Sequence, residues 1–143
     1  MHFYKLIIIG ITLFWAGFVS AISFMEAWFK FRVKGVTLPL GLSIGKKVFT
    51  ALNRVEWTLL ILYAALWLSH SPLRFDVTTI LSFLLLLILI LQTFYLLPVL
   101  DKRADLLIEG KSVEKSTTHH YYVFVELIKV VSLFLLSTYN YLE

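Results

Sequence analysis

The chain has 143 residues, of which 59% are hydrophobic and 15% are charged, and its mean hydropathy is +0.85. Soluble domains carry about 25% charged and about 45–50% apolar residues, so this composition indicates a protein that folds in lipid. The chain contains no cysteine, which excludes disulfides, thiolate metal ligands and thiol nucleophiles. The net charge of +4 does not indicate nucleic-acid binding, because the basic residues lie in short connections between apolar runs.

Four stretches of the chain are long and apolar enough to cross a bilayer. A spanning helix needs about 20 mostly apolar residues to cross a hydrocarbon core about 30 Å thick. Residues 4–28, 50–69, 78–100 and 121–141 meet this requirement. The sequence therefore predicts an all-α integral membrane protein, a single domain of four transmembrane helices in an up-down bundle.

The Lys and Arg residues predict the orientation of these spans. On one side of the membrane lie only Lys5 and Arg74. On the other side, around the first and third connections, lie Lys30, Arg32, Lys34, Lys46, Lys47, Arg54, Lys102, Arg103, Lys111 and Lys115. Because basic loops stay in the cytoplasm, we expect both termini and the turn at residues 69–78 to be non-cytoplasmic. The expected location is the cell membrane, as a multi-pass protein of the bacterial inner membrane.

The first span has an alternative interpretation as a cleaved signal peptide. Val19, Ser20 and Ala21 would then form the small-residue cleavage site. The apolar core of a signal peptide is about 7–15 residues long, however, and this one is longer. Cleavage would also export the most basic connection, so four spans fit the charges better.

The connections carry local structural signals. The apolar residues between Lys34 and Lys47 predict a segment that lies along the inner interface, with the second helix beginning near Ser43. Pro98 predicts a kink in the third helix, and Gly110 predicts the end of its extension. Each half of the chain is a span, a basic connection and a returning span that carries a glutamate, Glu56 or Glu126, which hints at two repeated hairpins.

Ionisable and amide residues inside the spans are the strongest functional signal. Such a group costs about 2.5–3.5 kcal/mol on insertion scales, so it normally faces the bundle interior and has a partner. At about 100° per residue, one face of the fourth span carries His119, Tyr122, Glu126 and Lys129. A polar stripe on the first span likewise carries Thr12, Ser23, Glu26 and Lys30. We expect a polar cluster on the cytoplasmic side of the bundle. Its candidate members are Glu26, Asn53, Glu56, Gln92, Tyr122, Glu126 and Lys129, with His119 and His120 at the start of the fourth span.

Three interpretations of this cluster remain open. In the first, Glu126 pairs with Lys129 at i,i+3 and the other members hold the helices together. In the second, the carboxylates and a histidine hold a transition metal, although the chain has no Glu-x-x-His pair. In the third, Lys129, Arg54 and the histidines receive an anionic or quinone-like substrate, with His119 or His120 as general base beside Glu56 and Glu126. No metal ligand is assigned, and the cofactor is unknown.

Two short motifs are similar to those of known families. Asn53-Arg-Val-Glu56 resembles the Asn-x-x-Glu element of the membrane-associated glutathione and eicosanoid enzymes, but Ala51 stands where that family places a histidine. Three features together resemble the small four-span bacterial membrane proteins related to anthrone oxygenases. They are Glu26, the run Leu97-Pro-Val-Leu-Asp-Lys-Arg103 and the run His119-His-Tyr-Tyr. The second resemblance implies a four-helix bundle and, in some members, cofactor-free oxidation of a ring substrate.

The sequence thus favours a structural or accessory membrane subunit. The alternative is a membrane-embedded oxidoreductase or transferase that acts on a lipophilic or anionic small molecule. A transporter is a third class, but Glu26 and Glu56 lie far from the midplane position that transporter sites occupy. The expected partners are the lipid bilayer and either further copies of the chain or a larger membrane complex, with no nucleic acid.

Overall fold

A computed structural model describes residues 3–70 and 75–142, and this part of the chain consists of four α-helices and their connections, without a strand. The helices are α1 (Phe3–Arg32), α2 (Leu38–His70), α3 (Val77–Ile108) and α4 (Thr118–Leu142). Each is long and apolar enough to cross a membrane, so the prediction of an all-helical chain with four helices able to span a membrane is confirmed. Arg74, which the charge pattern assigns to the outer turn, lies outside the described residues.

The four helices run up and down around a common core. The Tyr4 ring stacks on the His70 ring, with centroids 4.4 Å apart, so the start of α1 lies beside the end of α2. Lys46 pairs with Asp105 at 2.6 Å, which places the start of α2 beside the end of α3. α4 packs between α3 and α1 and closes the ring. α2 and α4 therefore face each other across the diagonal of the bundle.

Apolar side chains cover the inside and the outside of the bundle alike. Trp15, Leu52, Leu85 and Leu133 are fully buried between the helices. Large apolar residues also point outward, among them Phe14, Leu62, Leu87, Phe94 and Phe134. A helix in a water-soluble protein normally carries polar residues on its outer face. The outward apolar surface is the kind that suits contact with lipid, as in a multi-pass membrane protein.

α1 and α3 each contain one wide π-helical turn at the level of the polar residues. In α1 the turn covers Ala21–Glu26, and the Ala27 N–H donates to the Ile22 carbonyl. In α3 it covers Gln92–Leu96, and the Leu97 N–H donates to the Gln92 carbonyl. These i→i+5 hydrogen bonds add one residue to the turn and rotate the residues that follow it.

The start of α2 differs from expectation, whereas the end of α3 agrees with it. α2 begins at Leu38 rather than near Ser43, because the Thr37 carbonyl accepts the Gly41 N–H and Pro39 lies in the first turn, where its missing N–H costs nothing. α3 continues through Pro98, directly after its π turn, as far as Ile108. Gly110 then adopts a φ of +76° and terminates α3, as predicted.

Candidate functional site

The site is centred on the Lys129 side chain, which is fully buried in the middle of α4. Its Nζ atom donates to Glu126 Oε1 at 3.0 Å, within α4. The same Nζ atom donates to Glu56 Oε1 on α2 at 2.5 Å. The i,i+3 pairing of Glu126 with Lys129 is confirmed, and Lys129 also ties together the two helices that lie diagonally opposite each other. All three side chains are completely shielded from solvent.

The other two helices complete this cluster with neutral donors. Trp15 on α1 donates from its Nε1 atom to Glu56 Oε1 at 2.9 Å. Ser23, also on α1, donates to Glu126 Oε2 at 3.1 Å. Gln92 on α3 donates from Nε2 to Glu126 Oε1 at 2.5 Å. We call Trp15, Ser23, Glu56, Gln92, Glu126 and Lys129 the buried cluster. It joins all four helices through side-chain hydrogen bonds.

The buried cluster contains two carboxyl groups and one amine. When all three ionise, one negative charge remains without a compensating cation. Two of its polar atoms, Glu56 Oε2 and Gln92 Oε1, make no hydrogen bond. Removing one partner of a buried ion pair costs about 3–5 kcal/mol in measured cases, because it leaves the other charge without its partner.

The cluster lies near the middle of the bundle, because Lys129, Gln92 and Trp15 each lie near the middle of their helices. The sequence places Glu56 and Glu126 just below the cytoplasmic surface. That depth in the membrane stays a prediction, because the helices extend past the predicted spans at the Arg32 and Ile108 ends.

Asn53 does not join the buried cluster but forms a second polar contact between α2 and α3. Its Nδ2 atom donates to Thr93 Oγ1 at 3.0 Å, and Trp57 Nε1 donates to the same oxygen at 2.9 Å. The Thr93 hydroxyl donates in turn to the Leu89 carbonyl at 2.7 Å. Thr93 is therefore the single acceptor that holds both α2 side chains against α3.

Glu26 also lies apart from the buried cluster. Its carboxylate is 3.6 Å from the Lys30 ammonium, one turn further along α1. The π turn between Ala21 and Glu26 explains this position, because it rotates Glu26 away from the face that carries Ser23. The third interpretation also placed Arg54 at the site, but Arg54 is exposed on the outside of α2.

The two histidines do not reach the buried carboxylates. His119 and His120 are both exposed, with their rings 6.1 Å apart. Within the described ranges, neither histidine makes a hydrogen bond to Glu56 or Glu126. Tyr122, one turn from Glu126, is 3% exposed and packs edge-on against Phe49. The proposed catalytic residues therefore occupy two separate levels of the bundle.

A cavity of about 300 Å³ opens at the end of the bundle where the histidines lie. His119 and Tyr122 form part of its wall on α4, and Lys30, Lys46 and Asp101 contribute charged groups from the other helices. Gly41 and Gly45 on α2 allow α1 to approach closely here. A Cβ atom on Gly41 would overlap the Phe31 ring, and one on Gly45 would lie 2.8 Å from Lys30 Nζ.

The metal interpretation finds no ligand set in residues 3–70 and 75–142. No group of three His, Cys, Asp or Glu side chains in these ranges is arranged to hold a metal ion. The buried cluster contains two carboxylates, Glu56 and Glu126. Lys129 occupies the space between them, where its ammonium would repel a cation.

Trp15 and Thr93 belong to the polar network but were not among the residues that the sequence singled out. Trp15 and Glu26 are 11 residues apart, which is nearly three full helical turns, so Trp15 shared the polar stripe of α1 on a helical wheel. Its indole could have been recognised as a donor on that basis. Thr93 had no such signal, because a single hydroxyl in an apolar span is usually satisfied by its own helix.

We compared the chain with protein-family models, with curated proteins and with solved structures, and none of them matches it.

Proposed function

We propose that the chain is a multi-pass protein of the bacterial inner membrane, with both termini non-cytoplasmic, that serves as a structural or accessory subunit. The role of its buried cluster is structural: the cluster holds four lipid-facing helices in one arrangement. The observation that carries this proposal is the seclusion of the cluster: Glu56, Gln92, Glu126 and Lys129 are each 0% exposed. A catalytic group must be accessible to its substrate. A cluster that only holds helices together needs no such access, provided that its polar groups are hydrogen-bonded.

The distribution of apolar surface supports the accessory role. Aromatic and aliphatic side chains point outward along all four helices, for example Phe14, Ile61, Phe83 and Phe134. Such faces pack against lipid or against other membrane helices. The proposed partners are therefore the bilayer, and further copies of this chain or a larger membrane complex.

The proposal is tested by removing both carboxylates at once. The double variant Glu56→Gln/Glu126→Gln leaves the Lys129 ammonium buried among neutral groups, so its thermal unfolding temperature in detergent should fall well below that of the native chain. The matched control is Glu109→Gln/Glu114→Gln, which neutralises two exposed carboxylates and should leave the unfolding temperature nearly unchanged. If the Glu56→Gln/Glu126→Gln variant were as stable as the control, the structural role of the buried cluster would be contradicted.

Metal content and visible absorption of the purified protein complete the test. A stoichiometric transition metal or a chromophore that is lost in the Glu56→Gln/Glu126→Gln variant would contradict a purely structural cluster. Equal metal content and absorption in the native chain and the double variant would support it.

The second candidate function is a membrane-embedded oxidoreductase or transferase that acts on a lipophilic or anionic small molecule. The observation that favours it is the cavity beside His119, an imidazole with access to a partly apolar space. The resemblance to the anthrone-oxygenase-related proteins suggests a cofactor-free oxidation as one form of this candidate. An activity that His119→Gln abolishes and His120→Gln preserves would favour the enzyme over the accessory subunit.

A further inference from the structure

The cavity at the Arg32 and Ile108 ends of the bundle has the features of a binding site for an anionic group. Its volume of about 300 Å³ is at the lower end of the range for small-molecule sites. It lies one helical turn beyond the buried cluster, with Tyr122 between the two. The position of the cavity at the cytoplasmic side rests on the membrane placement proposed above and is independent of the role of the buried cluster.

The strongest feature is the Lys30 ammonium in the cavity wall. The Lys30 side chain is 10% exposed, yet its Nζ atom makes no hydrogen bond within the described chain. Its one ionic neighbour, Glu26 Oε2, is 3.6 Å away, beyond hydrogen-bond distance. Lys30 Nζ also lies 5.4 Å and 5.6 Å from the centroids of the Phe31 and Phe49 rings. The Lys30 ammonium therefore forms an ion pair with Glu26 but keeps N–H donors that no hydrogen bond in the described chain uses.

The remaining charges at the mouth of the cavity favour an anion. Lys46 and Arg103 line it together with His119, and Asp101 is the acidic group in its wall. Lys46 is bound to Asp105, and Arg103 donates to the Glu114 carbonyl at 2.7 Å. This end of the molecule carries ten Lys and Arg residues against five Asp and Glu residues. The local field is therefore positive beyond the immediate ion pairs.

The rest of the wall is largely apolar. Its apolar lining includes Leu42 on α2 and Leu97, Leu100 and Leu107 on α3. In the proposed topology the cavity lies at the level of the cytoplasmic headgroups. Basic pockets between transmembrane helices at that depth suit acidic lipid headgroups. A soluble anion would form ionic contacts with the basic side chains but would leave the leucine side chains without an apolar partner.

We propose that this cavity binds an anionic phospholipid of the cytoplasmic leaflet. The phosphate group accepts hydrogen bonds from Lys30, with Arg103 and His119 at the mouth, and the first acyl carbons lie against the leucine wall. The lipid would cover the ammonium of Lys30 and fill the space between the ends of α1 and α3.

The test is lipid binding to the purified full chain by native mass spectrometry, with phosphatidylglycerol and phosphatidylcholine as the two probes. Lys30→Gln removes the proposed anchor, and the control Lys34→Gln removes one equally charged, exposed lysine from the same end of the protein. Lys30→Gln should weaken phosphatidylglycerol binding about tenfold or more, the loss expected for one charged hydrogen bond, whereas Lys34→Gln should change it less than about twofold. Arg103→Gln against Lys102→Gln repeats the comparison if Lys30→Gln fails to fold.

The outcomes separate the lipid from other anions and from general surface charge. Preferential binding of phosphatidylglycerol that depends on Lys30 or Arg103 supports the proposal. Equal binding of the two lipids, or equal losses in the cavity variants and their controls, overturns it. Competition by millimolar inorganic phosphate with no effect of acyl chains overturns the lipid assignment in favour of a soluble phosphate. The structural role of the buried cluster is tested separately, because none of these substitutions replaces a residue of that cluster.

Discussion

Lys129 on α4 and Glu56 on α2 meet across the diagonal of the bundle, and this ion pair connects two helices that are not neighbours in the ring. Both side chains are inaccessible to solvent. In a membrane, apolar burial does not drive one helix toward another, because the lipid is as apolar as the helix surface. A central ion pair with hydrogen bonds from the other two helices supplies the specificity that apolar packing lacks.

The first prediction concerns Lys129 itself. Lys129→Gln leaves Glu56 and Glu126 facing each other in the core without a cation. Removing one partner of a buried ion pair costs about 3–5 kcal/mol, so the unfolding free energy should fall by that order. The measurement is thermal or denaturant unfolding in detergent, with Lys115→Gln as the control at an exposed lysine. Equal stability of the two variants would show that the central ammonium is dispensable.

The second prediction concerns the charge balance of the cluster. Glu56→Gln and Glu126→Gln each leave Lys129 with one carboxylate, so each single variant should be mildly destabilised. The double variant leaves the ammonium without any anion. The loss in the double variant should therefore exceed the sum of the single losses by about 0.5–3 kcal/mol, the range found for contacting residues. Additive losses in the double-mutant cycle would mean that the two carboxylates do not share Lys129.

The third prediction concerns the indole of Trp15. Trp15→Phe keeps an aromatic ring in the core but removes the N–H that donates to Glu56 Oε1. Loss of one hydrogen bond to a charged group should cost about 1.5–3 kcal/mol. Trp67→Phe makes the same substitution in a buried tryptophan that stacks on Tyr63, outside the cluster. If both variants lost the same free energy of unfolding, the loss would be due to the smaller ring and not to the missing hydrogen bond.

Sequence patterns predicted the four helices because each span is apolar over a length that only a membrane helix needs. They also predicted that Lys129 would pair with Glu126, since three residues in a helix bring the two side chains to one face. The partners of Glu56 did not follow from such a pattern. Its contact with Lys129 depends on which helices lie diagonally opposite, and that arrangement is a property of the packed bundle.

The π turns set a second limit on prediction from the sequence. Regular 100° steps along α1 placed Ser23 and Glu26 on one face, but the wide turn at Ala21–Glu26 separates them. Ser23 binds Glu126, while Glu26 lies near Lys30. The cavity also could not be predicted from the sequence. It is lined in part by Gly41 and Gly45, where α1 approaches α2, and no local pattern shows which residues those glycines will contact.

The fourth prediction concerns the hydroxyl of Thr93. Thr93→Val keeps the shape of the side chain but leaves Asn53 Nδ2 and Trp57 Nε1 without their shared acceptor. A buried donor without a partner costs about 1–3 kcal/mol, so the variant should unfold at a lower temperature. Thr138→Val is the control, because the Thr138 hydroxyl is exposed and bonds only to the Phe134 carbonyl of its own helix. Matching unfolding curves would show that Asn53 and Trp57 find other acceptors.

The fifth prediction concerns the orientation of the chain, and the lack of native cysteine makes it directly measurable. A single cysteine at Thr117, in the exposed connection before α4, should be cytoplasmic under the proposed topology. A single cysteine at Phe75, which is 98% exposed at the opposite end, should be non-cytoplasmic. In intact cells whose outer membrane is permeabilised, a membrane-impermeant thiol reagent should label Phe75→Cys and spare Thr117→Cys until the inner membrane is disrupted.

The physical reason for this labelling pattern is the uneven distribution of charge. Ten Lys and Arg residues lie at the end that carries Thr117, whereas Lys5 and Arg74 are the basic residues assigned to the other end. Basic segments near span ends resist transfer across the membrane. If only Thr117→Cys were labelled, the topology would be the inverse of the one proposed, and the basic cavity would lie in the outer leaflet. Labelling of both cysteines in intact cells would show that the helices do not cross the membrane as proposed.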